Sequence, residues 1–315
     1  MYIINVLAPV FLVIALGAIL RRTGFVNDEL LVGMSRMAYW VGLPCLLIVK
    51  IAGASFDGAG SFDTFWLVFI GMIAGIVVST ALAFAMRMRR EQMGAFVQAA
   101  FRGNLAFVGL AVIMSAFSAL PGAAAAGDLA RAERAAVLTF GPIVPIYNIA
   151  AVLVLLAFRH KLSAESLKRM FAQVAINPLL LACVVGVLIS LSGWSLPGPI
   201  DRTLSVLGQF ALPLALLCVG GKIAAAKLRG NIRLPFLAAA IKLTVGPVVG
   251  CLAAGWLGVG RVETAVAMIM LASPTAVASY VLSEQLGGDS ALSAGAVVVS
   301  TIMSIVSLAV VVAMI

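Results

Sequence analysis

Residues 92–119 read QMGAFVQAAFRGNLAFVGLAVIMSAFSA. The run is long and apolar enough to cross a bilayer, which takes about 20 helical residues. Yet Phe101-Arg102-Gly103-Asn104 stands in its middle. An arginine at that depth is costly unless it is paired or wet, and Gly103 and Asn104 are poor helix formers. The stretch therefore predicts a membrane helix with an unwound centre. A second stretch, Leu271-Ala272-Ser273-Pro274-Thr275-Ala276, lies at the same depth of another apolar run. There Pro274 removes a backbone donor and clashes with the turn before it. Irregular backbone at mid-bilayer is tolerated where it lines a cavity or is buried in protein. If the two breaks cross, two half-helix N-termini face each other and make a site for an anion.

Composition agrees with a membrane setting. Of 315 residues, 63% are hydrophobic and only 10% are charged, whereas a soluble domain carries about a quarter charged residues. The net charge of +9 does not point to nucleic acid, because the basic residues form short clusters between apolar runs instead of a solvated basic face. Cys45, Cys183, Cys218 and Cys251 are far apart inside apolar runs and read as small buried hydrophobes. No Cys/His spacing suggests a metal, the sole histidine, His160, lies in a basic loop, and nothing implies a cofactor. An intramembrane hydrolase would need a nucleophile with a base or metal, so an enzyme is not expected.

Apolar runs predict an all-α membrane protein with ten spans, near 3–20, 33–52, 64–86, 92–119, 134–158, 171–192, 202–223, 233–257, 261–285 and 290–314. The runs are continuously apolar, which argues against a membrane barrel. Arg21 and Arg22 follow the first run, the reverse of a signal peptide, so that run is expected to be retained. Loops after spans one, three, five and seven, with adjoining helix ends, hold fourteen basic residues: Arg21, Arg22, Arg36, Arg87, Arg89, Arg90, Arg159, Lys161, Lys168, Arg169, Lys222, Lys227, Arg229 and Arg233. The other side holds five, Lys50, Arg131, Arg134, Arg202 and Arg261. The first side is therefore read as cytoplasmic, and both termini as outside, in a cell (inner) membrane.

The halves repeat. Pro9 and Pro178 are separated by 178 − 9 = 169 residues, and Pro44 and Pro213 by 213 − 44 = 169. Gly24-Phe25 and Gly193-Trp194 keep that offset, and Asn104-Leu-Ala106 aligns with Pro274-Thr-Ala276 at 170. Residues 1–160 and 161–315 thus read as two five-helix repeats. An odd span count turns the second upside down, a signature of alternating-access carriers.

The paired breaks set the expected substrate site: Arg102, Gly103, Asn104, Ser273, Pro274, Thr275 and Ala276, with Asn148 of span five lining the cavity. Lys242 in span eight reads as structural. Ser300, Ser304 and Ser307 share one face of span ten and read as small-residue packing. No Asp or Glu lies mid-span, and the intramembrane charges are positive, so an anionic substrate is expected.

Taken together, Arg102-Gly103-Asn104, Asn177-Pro178, Pro213-Leu-Ala-Leu before Gly220-Gly221, Lys242…Pro247 and Ser273-Pro274-Thr275 make the whole chain resemble the auxin efflux carrier family in its short prokaryotic form. That family is related in fold to bile-acid/sodium symporters. The resemblance implies a scaffold domain from spans one, two, six and seven. It implies a transport domain from spans three to five and eight to ten, with crossed broken helices 4 and 9 and with Asn104, Asn148 and Pro274 at the binding site. It implies secondary transport of small organic anions, auxin-like monocarboxylates or malonate- and malate-type dicarboxylates, by elevator-like alternating access. A sodium-coupled symporter is the alternative within transport, and a membrane sensor the alternative outside it. A homodimer through the scaffold domain is compatible with this reading. Relatives commonly carry a proline in span four, and its lack here implies a milder break at Asn104 than at Pro274.

Overall fold

The computed structural model describes residues 2–53, 62–119, 123–159, 176–225 and 232–315. Among the described residues all regular structure is helical. In chain order the elements are α1 (Tyr2–Arg22), α2 (Asp28–Met37), a π turn (Ala38–Gly42), α3 (Leu43–Ala52), α4 (Asp63–Ala85) and α5 (Arg90–Phe101). A second π turn (Leu105–Gly109), α6 (Leu110–Ser118), α7 (Ala123–Arg159), α8 (Pro178–Leu191) and α9 (Gly198–Gln209) follow. The chain ends with α10 (Ala211–Ala225), α11 (Arg233–Leu257), α12 (Arg261–Ala272), α13 (Ala278–Gln285) and α14 (Ser290–Ala313).

Among the described residues, seven helical stretches are long and apolar enough to cross a membrane: Tyr2–Arg22, Asp28–Ala52, Asp63–Ala85, Gly127–Phe158, Gly198–Ala225, Arg233–Leu257 and Ser290–Ala313. They fall on predicted spans one, two, three, five, seven, eight and ten. Spans four and nine do not qualify because each is interrupted. Span six is described only from residue 176 and contains the apolar helix Pro178–Leu191. His160, Lys161, Lys168, Arg169, Lys227 and Arg229, which enter the charge asymmetry, lie outside the described residues. Large apolar side chains such as Leu12, Phe84, Leu188, Leu252 and Trp256 face outward along these helices, as lipid-facing surfaces require.

The chain divides into two compact units. The first comprises Met1–Phe65, Ala106–Pro145 and Ala175–Ala225. In it α1 packs on α10, and α3 on α8. Glycines bring these backbones together, as membrane helix pairs favour: a Cβ at Gly17 would lie 2.2 Å from the Leu217 carbonyl oxygen. One at Gly186 would lie 3.4 Å from the Ile48 carbonyl oxygen. The two residue pairs keep the same offset with partners exchanged, since 186 − 17 = 169 and 217 − 48 = 169, while a Cβ at Gly186 would lie nearest the Ile51 side chain, 2.7 Å from its Cβ. Gly42 and Ala211, themselves separated by 211 − 42 = 169, touch each other, with a Gly42 Cβ only 2.8 Å from that of Ala211.

The second unit comprises Trp66–Leu105, Ile146–Val174 and Ala226–Ile315. Here α11 packs against α5, α12 and α14. Leu271, in the last turn of α12, lies in a slot between helices α4 and α11. A Cβ at Gly71 would meet Leu271 Cδ2 at 2.7 Å and the Gly246 carbonyl oxygen at 2.9 Å, and one at Gly250 would meet Leu271 Cδ1 at 2.5 Å. The glycines thus seat the end of α12, where the chain leaves the helix.

Candidate functional site

Helices α5 and α12 each have 12 residues, and each stops at a residue in extended conformation: Arg102 (φ −79, ψ 99) and Ser273 (φ −65, ψ 147). The chain segments that follow join as a short antiparallel bridge between Gly103 and Thr275. The Asn104 N–H donates to the Pro274 carbonyl at 2.7 Å, and the Ala276 N–H donates to the Arg102 carbonyl at 2.9 Å. Span four is out of helix for three residues, 102–104, and span nine for five, 273–277, so the proline-free break is the shorter one. Gly103 takes over there, because a Cβ on it would meet Leu105 Cδ2 at 2.9 Å and Lys242 Cε at 3.3 Å.

A broken helix frees its last four carbonyls, and in a membrane each needs a donor from the protein. At the end of α12 all four are met. Ser273 Oγ donates to Ile269 at 2.8 Å, and the Ser273 N–H donates to Met270 at 3.3 Å. Lys242 Nζ donates to Leu271, and Ser307 Oγ donates to Ala272 at 3.1 Å. The bridge itself is braced from both sides. The Thr275 N–H donates to Ser300 Oγ at 2.9 Å, while Thr275 Oγ1 donates to the Ala99 carbonyl of α5 at 2.9 Å. Lys242 is buried, and among the described residues no carboxylate pairs with it. Its charge lies at the negative end of the α12 dipole.

Arg102 is also buried and donates from Nη2 to Asn148 Oδ1 at 2.5 Å. One residue earlier on each helix, the rings of Phe101 and Tyr147 stack with centroids 5.9 Å apart and planes 30° apart. Two consecutive residues of α7 thus engage two consecutive residues at the end of α5. All eight predicted site residues lie in this one unit, but their groups differ in what they have left to offer. The Ser273 and Thr275 hydroxyls and the Thr275 and Ala276 amides are spent on the break. Asn104 Nδ2 is buried without a hydrogen-bond partner among the described residues, as are Tyr147 Oη and Ser279 Oγ. At the start of α13 the amides of Val277 and Ala278 also find no acceptor among the described residues. Idle donors, one guanidinium and a helix N-terminus together suit an anion.

The sequence reading left out Lys242, Ser300 and Ser307 as members of the break. Lys242 stood out only as a charge deep in span eight, and spacing alone carried the signal of the serines, since residues 300, 304 and 307 share one helical face. Small-residue packing and hydrogen-bonded bracing leave the same trace in sequence.

No curated protein matches the chain. A family model described as membrane transport protein matches residues 2–166 and again residues 159–312. With those matches spanning the chain from its first helix to its last, and apolar helices of membrane-crossing length along it, this polytopic protein belongs to the membrane transport protein family, of the auxin efflux carrier type.

Proposed function

We propose that the chain is a secondary active transporter of small organic anions, auxin-like monocarboxylates or malonate- and malate-type dicarboxylates, working by elevator-like alternating access. Its ten spans form two inverted five-helix repeats. Spans one, two, six and seven are the scaffold; spans three to five and eight to ten carry the substrate. The exchanged contacts Gly17–Leu217 and Gly186–Ile48 support a two-fold relation between the halves, and the odd span count of each half supports inversion. The excess of basic residues on one side supports an inner-membrane protein with both termini outside.

The observation that carries the reading is the Gly103–Thr275 bridge, which holds the buried Arg102 and the idle side-chain amide of Asn104 beside the α13 N-terminus in one compact unit. A carboxylate there accepts from the guanidinium, the Asn104 amide and the Val277 and Ala278 amides. These donors are fixed before it arrives, so little reorganisation opposes binding. The sodium-coupled alternative would use freed helix-end carbonyls as cation ligands. Those of α12 are already taken by Ser273, Lys242 and Ser307, which favours a carrier without sodium at that break. Purified protein in proteoliposomes should accumulate a labelled organic anion, and flux should be the same with sodium or potassium as the external cation. Absence of flux for every mono- and dicarboxylate offered would overturn the proposal.

A further inference from the structure

Tyr147 is only 3% exposed, and its hydroxyl is buried with no hydrogen-bond partner among the described residues. A phenylalanine would fill the same space and stack on Phe101 equally well, without carrying an unmet polar group into the interior. Packing therefore accounts for the ring and leaves the hydroxyl unexplained. Its surroundings supply the reason. Asn148, the next residue on α7, accepts from Arg102, and the Tyr147 ring lies on Phe101, the residue before Arg102. The same break holds a second idle donor, Asn104 Nδ2. A phenol hydroxyl and an amide N–H that lack acceptors are complementary to carboxylate oxygens.

Resting on the anion-carrier reading above, we infer that Tyr147 is a substrate-binding residue whose hydroxyl donates a hydrogen bond to a carboxylate oxygen of the transported anion. It approaches from α7, beside the Arg102–Asn148 pair. A donor facing a charged acceptor in a dry site discriminates more strongly than one facing a neutral oxygen. Tyr147 therefore favours carboxylates over their uncharged amides or esters.

The test compares wild type with Tyr147→Phe, using malonate and indole-3-acetate as probes, by calorimetric titration and by thermal unfolding with and without probe. The variant should unfold, free of probe, at the wild-type temperature or slightly above it, because an unmet hydroxyl has been removed. It should bind the better probe about tenfold more weakly. Two results overturn the assignment alone: equal affinity in the variant, or a lowered unfolding temperature without probe, which would make the hydroxyl part of the fold. A wild type that binds neither probe sinks the carboxylate reading and this assignment with it.

Discussion

The backbone N–H of Asn104 donates to the carbonyl of Pro274 at 2.7 Å, so residues far apart in sequence meet through their main chains inside one compact unit. Side-chain changes at Asn104 leave that bond intact. Its side-chain nitrogen has no partner among the described residues, so Asn104→Ala should cost the fold little. The lost donor should weaken anion binding about tenfold or more, the worth of one hydrogen bond to a charged group. Thermal unfolding and proteoliposome flux of the same preparation check this. Wild-type flux from Asn104→Ala would move the site elsewhere.

Pro274→Ala makes the complementary change. Alanine restores an N–H that can bond to the Met270 carbonyl, now held by the Ser273 N–H at 3.3 Å. Continuing α12 through residue 274 competes with the bridge to Gly103. Flux should fall to background while the unfolding temperature stays level or rises. A drop in both would mean that Pro274 holds the fold instead of the break.

Lys242 and Arg102 should separate by what each loss disturbs. Lys242→Met strips the Leu271 carbonyl of its donor, leaving a buried acceptor unmet at a cost of about 1–3 kcal/mol. Its main effect is a lower unfolding temperature. Arg102→Gln removes the guanidinium and should chiefly weaken anion affinity. Titration of both variants ranks them, and a larger affinity loss in Lys242→Met would place the charge role on α11.

How much of this was legible in sequence depended on whether a residue acts through its backbone type or through its partner. Pro274, Gly103 and Asn104 announce a helix break by local chemistry alone, so the interruptions of spans four and nine could be read directly. The 169-residue offset was equally readable, and the contacts Gly17–Leu217 and Gly186–Ile48 keep it. The milder break expected of a proline-free span four matches its length, three residues out of helix against five in span nine, with the tight space around Gly103 standing in for a proline. Ser273 and Thr275 read as ligands, yet their hydroxyls serve the break itself. Lys242, Ser300 and Ser307 stayed hidden as parts of the site because their role exists only once α11 and α14 meet the end of α12. Apolar patterning cannot tell a serine that packs from one that caps a distant carbonyl.

The first unit offers a sharper test of backbone approach. A Cβ on Gly220 would lie 1.8 Å from the Ile14 carbonyl oxygen and 2.9 Å from the Ala18 nitrogen, both main-chain atoms. Neither can move without shifting α1 as a whole, so Gly220→Ala should cost more than about 3 kcal/mol. Gly186→Ala faces chiefly the Ile51 side chain, 2.7 Å from its Cβ, and should cost less than Gly17→Ala, which meets the Leu217 main chain. Gly255 has no neighbour within 4 Å of its Cβ position, so Gly255→Ala should stabilise by about 0.5–1 kcal/mol through helix propensity. Unfolding midpoints in detergent should therefore run Gly255→Ala, wild type, Gly186→Ala, Gly17→Ala, Gly220→Ala from highest to lowest. If Gly220→Ala matched wild type, the close packing of α1 on α10 would be refuted.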